Sequence, residues 1–135
     1  MFLFLQFFIT VLSILVQNEP SNRKLFGELA PGGVVGGAMD SLLQQLAYYK
    51  RHDPANLEEA ELLENLFDVL CALLLHVKNR DLFLKAEGLQ LMNLMLREKK
   101  TSRNGALKVL NHALSGPEGK DNCIKFVDIL GKSFI

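Results

Sequence analysis

The most regular hydrophobic pattern of the chain lies between Gly88 and Lys100. Only Gln90 and Asn93 interrupt the apolar run after Gly88, and a mainly basic cluster occupies residues 97–100. The pattern predicts a helix, because its apolar residues continue over more than two turns and positive charge favours a helix carboxyl terminus. Since apolar residues surround most of this helix, we expect it to be buried between several neighbours.

The longest predicted helix begins after Asn56. This residue is a favourable N-cap, and Glu59 stands at the position that completes a capping box. An apolar stripe with three- and four-residue spacing then continues to Val77, and His76 lies near the expected end of the helix. The stripe is wide enough for contact with neighbours on two sides, as in the middle of a stack of helices.

Shorter periodic segments predict the remaining helices. They are expected at residues 7–17, 22–29, 39–49, 101–114 and 122–130, with Ser21 as the N-cap of the second. In the helix 101–114 the expected apolar face consists of Leu107, Leu110 and Leu114, with Ala106 and Ala113 beside them. The glycine-rich segment 31–37 is expected to be a loop, and residues 116–119 a turn. No stretch has the alternation of a strand, so the sequence predicts an all-α fold.

The first sixteen residues are strongly apolar and allow three interpretations. A transmembrane helix would need about 20 apolar residues, and a secretory signal would need a positive start and a small-residue cleavage site. Neither fits well, because the run is short and no Lys or Arg precedes Arg23. A core helix that ends before Pro20 is preferred, and a small membrane-anchored or secreted helical protein remains the alternative.

An internal repeat is visible at the start of three short helices. Phenylalanine follows four residues after Asn22, Asn79 and Asn122, and glycine follows nine residues after the second and third of these asparagines. The last two copies are 43 residues apart, within the range of about 40–47 residues found for armadillo repeats. The first two are 57 residues apart, and a glycine-rich insertion at residues 31–39 explains the longer spacing. The pattern predicts an armadillo-type α-solenoid fragment, whose units stack around a continuous core.

This repeat divides the chain into four parts. Residues 1–20 are predicted to form the apolar amino-terminal helix of a partial repeat, and residues 21–78 are predicted to form a repeat with the insertion 31–39. A second repeat is expected at residues 79–118, and the start of a truncated repeat at residues 119–135. A solenoid without polar capping repeats leaves apolar faces open at its ends, so self-association is a further expectation.

Composition and charge narrow the function classes. The chain is 49% hydrophobic and 22% charged with a net charge of zero, so direct binding to nucleic acid is not expected. Its cysteines and histidines lack the spacing of a metal site, and no Ser, His and Asp stand in a catalytic context. We therefore predict no catalytic residue, cofactor or metal, and we interpret Cys71 and Cys123 as reduced core residues.

Polar residues of the long helices form the candidate binding site. Acidic side chains at the start of a helix would attract a basic peptide, and amides in otherwise apolar helices would hold its extended backbone. The candidates are Glu58, Glu61, Glu64, Asn65, Asp68 and Asn111. The competing interpretation is an ordinary solvated helix start, in which carboxylates suit the positive end of the helix dipole. Both interpretations remain open.

Several motifs resemble one known family. They are LQLMNLMLREKK at residues 89–100, ALKVL at 106–110, GPEG at 116–119, KFVDILG at 125–131 and ENLFD at 64–68. These sequences are similar to those of the beta-catenin-like protein 1 family. The resemblance runs from about Val11 to Gly131, and residues 1–10, 31–39 and 132–135 depart from it. Family members are much longer, so the chain resembles an internal fragment.

The resemblance implies a non-enzymatic armadillo scaffold in the nucleus that is associated with the pre-mRNA splicing machinery. Its implied partners are splicing factors, bound through their basic nuclear-localisation-type segments. In armadillo proteins the long third helix of each repeat lines the ligand groove. A truncated, non-functional gene product remains a further alternative.

Overall fold

A computed structural model describes residues 2–98 and 100–133. Met1, Lys99, Phe134 and Ile135, which the sequence analysis placed in the terminal segments and the basic cluster, lie outside the described residues. The described helices are α1 (Phe2–Asn18), α2 (Pro20–Glu28), α3 (Gly37–Ala47), α4 (Leu57–Leu73), α5 (Val77–Lys85), α6 (Gly88–Glu98), α7 (Ser102–Leu114) and α8 (Lys120–Ser133). Short 3-10 turns occur at Pro31–Gly33, Tyr48–Lys50 and Pro117–Gly119. The described residues contain no strand, so the all-α prediction is confirmed.

The helices stack in the manner of a helical repeat. The long helices α1, α4 and α7 lie side by side with α4 in the middle, and α2 packs on α5. A continuous core runs along the stack and includes Val16 on α1, Leu70 on α4, Met92 on α6 and Val109 on α7, all almost completely buried. This architecture, together with the family match reported below, confirms the predicted solenoid fragment.

Helix α1 is longer than the sequence predicted, because it begins at Phe2 rather than at residue 7. No glycine or proline precedes residue 7, so nothing in the sequence ends the helix earlier. The predicted N-cap of α2 was also wrong. Glu19 occupies that position, its side chain accepts a hydrogen bond from the backbone N–H of Ser21, and Pro20 takes the first helical position.

The glycine-rich segment contains less loop than expected. Residues 31–37 were predicted to be a loop, but Pro31–Gly33 form a 3-10 turn and α3 begins at Gly37. Gly36 precedes the helix with a φ of +82°, a conformation that side chains disfavour. The segment therefore ends in a helix start that needs glycine. The apolar face predicted for the helix at 39–49 is confirmed, because Leu42, Leu43 and Leu46 are buried.

Helix α4 ends earlier than its apolar stripe suggested. Its N-cap is confirmed, because Asn56 Oδ1 accepts the Glu59 N–H at 2.9 Å. The Tyr49 hydroxyl donates a hydrogen bond to the Glu59 carboxylate, where the sequence predicted a capping box. Burial and this hydrogen bond raise the pKa of Tyr49. The helix ends at Leu73, so Val77 begins α5, and His76 precedes α5 rather than ending α4.

The repeated asparagine explains this break. Asn79 Nδ2 donates to the carbonyls of Leu73 and Arg23, both at 2.9 Å, and Arg80 Nε donates to Leu74 O at 2.8 Å. The last carbonyls of a helix have no partner within the helix. Side chains at the start of α5 therefore satisfy the end of α4, and they favour a chain reversal over continuation of the helix.

The first copy of the motif makes similar but fewer contacts. Asn22 Nδ2 donates to Leu15 O at 3.0 Å and Arg23 Nε donates to Val16 O at 2.6 Å, both near the end of α1. In the third copy Cys123 Sγ donates to the last carbonyl of α7 at 3.3 Å. Side chains of all three copies therefore donate hydrogen bonds to backbone carbonyls at or near the end of the preceding long helix.

The faces of the last three helices agree only partly with the sequence. Helix α6 is buried as predicted, although it ends at Glu98. Helix α8 is longer than the predicted 122–130. In α7 the predicted Leu110 and the alanines beside it, Ala106 and Ala113, are buried, whereas Leu107 is 52% exposed. Val109, which the prediction left out, is fully buried. At the contact with α4, Gly105 lies against the ring of Phe67, so the two helices approach closely there.

Candidate functional site

Two shallow pockets lie on the surface formed by the long helices, and they meet at Asp68 on α4. The first, of about 270 Å³, lies between α4 and α7 and includes Glu64, Phe67 and Lys108 in its lining. The second, of about 400 Å³, lies between α4 and the end of α1 and includes Arg23 in its lining. We call these two pockets together the central groove.

The acidic side of the central groove is formed by two predicted residues. Glu64 and Asp68 are one turn apart on α4, and both line the α4–α7 pocket opposite Lys108 on α7. Burial raises the pKa of Asp68, the charge of Glu64 raises it further, and Lys108 acts in the opposite direction. An additional cation in this pocket would stabilise both carboxylates, since opposite charge favours the ionised form.

The other four candidates do not line the central groove. Glu58 and Glu61 are exposed on the first turns of α4, and Glu61 accepts a hydrogen bond from Gln6 at 3.4 Å. Asn65 is half-buried and donates to Thr10 Oγ1 at 3.3 Å, so its amide joins α4 to α1. Asn111 is exposed on α7, about one turn beyond Lys108. The structure therefore brings together Glu64 and Asp68 from the predicted set.

Sequence reasoning missed the opposite wall of the pocket. Asn104 and Lys108 lie one turn apart on α7 and face Glu64 and Asp68 across the groove. The available signal was the four-residue spacing of these polar side chains on a helix whose other face is apolar. The sequence alone did not indicate that this face of α7 lies beside α4.

Cys71 lines the second pocket, whereas it was predicted to be a core residue. Its thiol is half-buried and free, as is that of Cys123. Burial raises the pKa of Cys71 to about 11, and the charge of Asp68 contributes in the same direction. The thiolate is the reactive form of cysteine. At neutral pH this side chain is therefore a thiol that contributes polarisable surface to the groove.

A glycine sets the width of the α4–α7 pocket. A Cβ atom on Gly105 would lie 2.3 Å from the nearest ring atom of Phe67, far closer than carbon atoms pack. The amino terminus of α7 is held separately by the loop after α3. The Thr101 N–H donates to Asp53 Oδ1 at 2.8 Å, and the buried Ser102 hydroxyl donates to Tyr49 O at 3.1 Å. The groove walls are thus fixed by packing and hydrogen bonds.

Within residues 2–98 and 100–133, no group of three or more His, Cys, Asp and Glu side chains is placed to hold a metal ion. None of the described helices has both the length and the apolar character needed to cross a membrane. The central groove has one acidic wall, formed by Glu64 and Asp68, and one mixed polar wall, formed by Asn104 and Lys108.

Comparison with known proteins gives one consistent result. A family described as "Catenin-beta-like, Arm-motif containing nuclear" matches residues 5–135. The chain is 61% identical over 121 residues to beta-catenin-like protein 1 of Homo sapiens and of Mus musculus, covering 90% of this chain. It is 34% identical over 131 residues to the beta-catenin-like protein 1 homolog of Schizosaccharomyces pombe. The chain spans about a fifth of the length of these relatives, 20% of the first two and 22% of the third.

Proposed function

We propose that this chain, which belongs to the catenin-beta-like family of Arm-motif nuclear proteins, is a non-enzymatic scaffold that binds protein partners along its stacked helices. Family membership confirms the resemblance noted in the sequence. The proposed partners are splicing factors with basic nuclear-localisation-type segments, and the proposed location is the nucleus. Both proposals rest on the resemblance to the family and on the character of the central groove.

The paired carboxylates of the central groove are the observation that carries this proposal. Glu64 and the half-buried Asp68 line one pocket, and Asp68 continues into the second. The exposed Glu58 and Glu61 lie on the preceding turns of the same helix and extend its negative electrostatic potential. Such an arrangement favours fast and selective capture of a cationic segment more than high affinity. Lys108 and Asn104 supply the opposite wall, with a polar amide within reach of a peptide backbone.

The division into repeats at 21–78 and 79–118 also stays a proposal. It is supported by the asparagine and arginine side chains that satisfy the ends of α1 and α4. In this division α1, α4 and α7 are the third helices of successive repeats, which places the central groove on the surface that armadillo proteins use for ligands. Exposed apolar residues on α1 support the accompanying proposal that the chain self-associates.

The first experiment compares two pairs of carboxylates on the same helix. Replacing Glu64 by Gln together with Asp68 by Asn removes two charges without changing side-chain size. We expect the affinity for a labelled Lys- and Arg-rich peptide to fall about fivefold, equivalent to about 1 kcal/mol. The measurement is fluorescence anisotropy at low ionic strength, where exposed charges are least screened.

The matched control is Glu58→Gln with Glu61→Gln. It removes the same charge from α4 but leaves the central groove intact. We expect a much smaller loss of affinity from this control pair. Equal losses from both pairs would mean that the peptide responds only to the general field of the helix. Unchanged affinity in the Glu64 and Asp68 variant would reject the site.

A further inference from the structure

A second charged surface lies next to the central groove. It is formed by two segments that are distant in sequence, the loop between α3 and α4 and the junction between α6 and α7. We call it the basic rim, and its described residues are 50–53, 97–98 and 100–103. They include five Lys or Arg side chains and two carboxylates, in a chain whose net charge is zero. The rim is therefore a local concentration of positive charge on the side of the helix stack.

Polar contacts join the two segments of the basic rim. Asp53 Oδ1 accepts the Thr101 N–H at 2.8 Å, and Arg51 Nε lies 3.7 Å from Glu98 Oε1. Both carboxylates of the rim therefore already have partners within it. The hydrogen bonds from Thr101 and the charge of Lys100 hold the pKa of Asp53 below its usual range, so this carboxylate is ionised at neutral pH.

The exposed cations of the basic rim remain available to a partner. Lys100 and Arg103 lie on either side of Thr101, and both side chains are exposed. Among the described residues neither of them forms an ion pair. A bound carboxylate at this position would therefore gain charge complementarity without displacing a partner of either cation.

The basic rim and the central groove meet at Thr101. This residue lines the pocket between α4 and α7 together with Glu64 and Asp68. Its N–H bonds Asp53, which belongs to the rim. A peptide segment that occupies the pocket and continues past Thr101 must therefore come into contact with the rim.

The acidic residues of α4 do not neutralise the basic rim directly. Residues 57–68 contain five acidic side chains and no Lys or Arg. Among the described residues none of these carboxylates forms an ion pair. Glu61 accepts a hydrogen bond from Gln6 on α1, and Glu59 accepts one from Tyr49. Two surfaces of opposite charge thus lie side by side, and both can act on one bound segment.

We propose that the segment bound in the central groove carries acidic residues immediately beside its Lys- and Arg-rich stretch, and that these acidic residues contact Lys100 and Arg103. The inference rests on the proposed function, because the basic stretch must occupy the groove. Complementary potentials across an interface fix the register of a bound segment. A segment with basic residues alone would place like charges against the rim, which disfavours it. The rim thus selects mixed-charge segments among basic ones.

The test compares three labelled peptides that share one basic stretch and differ in its flank, which is a short run of glutamate, serine or lysine. Fluorescence anisotropy with the full 135-residue chain measures their affinities at low ionic strength. The glutamate flank should bind about threefold more tightly than the serine flank, and the lysine flank more weakly than either. Glutamates lower the net charge of the peptide, so without the rim they would weaken binding to an acidic groove. Each flank is placed at either end, and the end that responds gives the orientation.

Variants of the rim assign the effect to Lys100 and Arg103. Lys100→Gln with Arg103→Gln should abolish the preference for the glutamate flank and retain binding of the serine-flanked peptide. The matched control is Lys78→Gln with Lys85→Gln, which removes the same charge from exposed positions of α5 outside the central groove. This control should keep the preference. Lys100→Glu with Arg103→Glu should make the lysine flank the preferred one, a reversal that a folding defect does not imitate.

The outcomes separate this inference from the proposed function. Equal binding of the three peptides, or a glutamate preference that survives Lys100→Gln with Arg103→Gln, overturns the inference and leaves the proposed function intact. Absence of binding by every peptide with the basic stretch rejects the proposed function and the inference that rests on it. Tighter binding of a single-stranded RNA than of the glutamate-flanked peptide, lost in the same variant, would overturn the inference by assigning the basic rim to nucleic acid.

Discussion

Gly105→Ala is expected to lower the free energy of unfolding by about 2 kcal/mol, although alanine favours a helix more than glycine does. The new Cβ would meet three ring carbons of Phe67 at 2.3, 2.4 and 2.6 Å. Phe67 is only 5% exposed, so its ring cannot turn into solvent. Helices α4 and α7 must therefore move apart. Denaturant unfolding monitored by circular dichroism measures the change.

A second glycine of the same chain provides the control. Gly131 lies in α8, and a Cβ built on it meets no atom within 4 Å. Gly131→Ala should therefore raise the free energy of unfolding by about 0.5 kcal/mol. Combining Gly105→Ala with Phe67→Leu should recover part of the loss, because the two sites are in direct contact. If Gly105→Ala proved neutral or stabilising, close contact would not be what requires glycine there.

The same substitution has a functional consequence. Gly105 and Phe67 both line the pocket between α4 and α7. Separation of the two helices moves Lys108 and Asn104 away from Glu64 and Asp68, so binding of the basic peptide should weaken along with stability. Recovery of binding in the double variant would connect the width of the groove to its ligand.

Asn79→Ala is the other substitution with a large expected effect, a loss of about 2 kcal/mol in the free energy of unfolding. Asn79 is 1% exposed, and its amide satisfies two backbone carbonyls, those of Leu73 and Arg23. Alanine leaves both carbonyls without this donor at a buried junction of α2, α4 and α5. Thermal and denaturant unfolding should both report the change.

The first copy of the motif provides the comparison. Asn22 donates a single exposed hydrogen bond to Leu15 O. Asn22→Ala should therefore cost less than about 1 kcal/mol, since water replaces an exposed donor at little cost. Similar losses for both variants would argue that the motif acts through local helix propensity and not through burial. A large loss of free energy of unfolding for Asn79→Ala, together with a small loss for Asn22→Ala, would support the stabilising role of Asn79 at the buried junction.

Local features of the sequence predicted the elements that depend on local physics. The face of α3, the N-cap of α4 and the burial of α6 followed from spacing and capping chemistry, and each is present. The apolar stripe through Leu73 to Val77 gave no sign of a helix end, because the residues that satisfy the broken end lie further along the chain, at Asn79 and Arg80. The prediction that Leu107 belongs to the apolar face of α7 was wrong, because the buried face of that helix includes Ala106, Val109 and Ala113 and leaves Leu107 52% exposed.

The candidate site was predictable only in part. An acidic stretch on one helix identifies Glu64 and Asp68 together with Glu58 and Glu61, because all four share a helix and a charge. Only the packing of α4 between α1 and α7 distinguishes the four carboxylates, because it places Glu64 and Asp68 in the central groove and leaves Glu58 and Glu61 in solvent. The same packing places Asn65 against Thr10. Lys108, forty residues away in sequence from Asp68, enters the site through that packing alone.

By itself, the sequence determined that this chain is helical, which faces of α3 and α6 are buried, and to which family it belongs. The first two depend on spacing along the chain, where neighbouring residues set the free energy of a helix and its apolar face. The family is identified by specific motifs, such as those at residues 89–100 and 125–131. The tertiary structure alone decided which polar groups meet across α4 and α7, and that Asn65 joins α4 to α1. Those depend on helices distant in sequence approaching closely, and side-chain volumes at their contacts, such as Gly105 against Phe67, govern that approach.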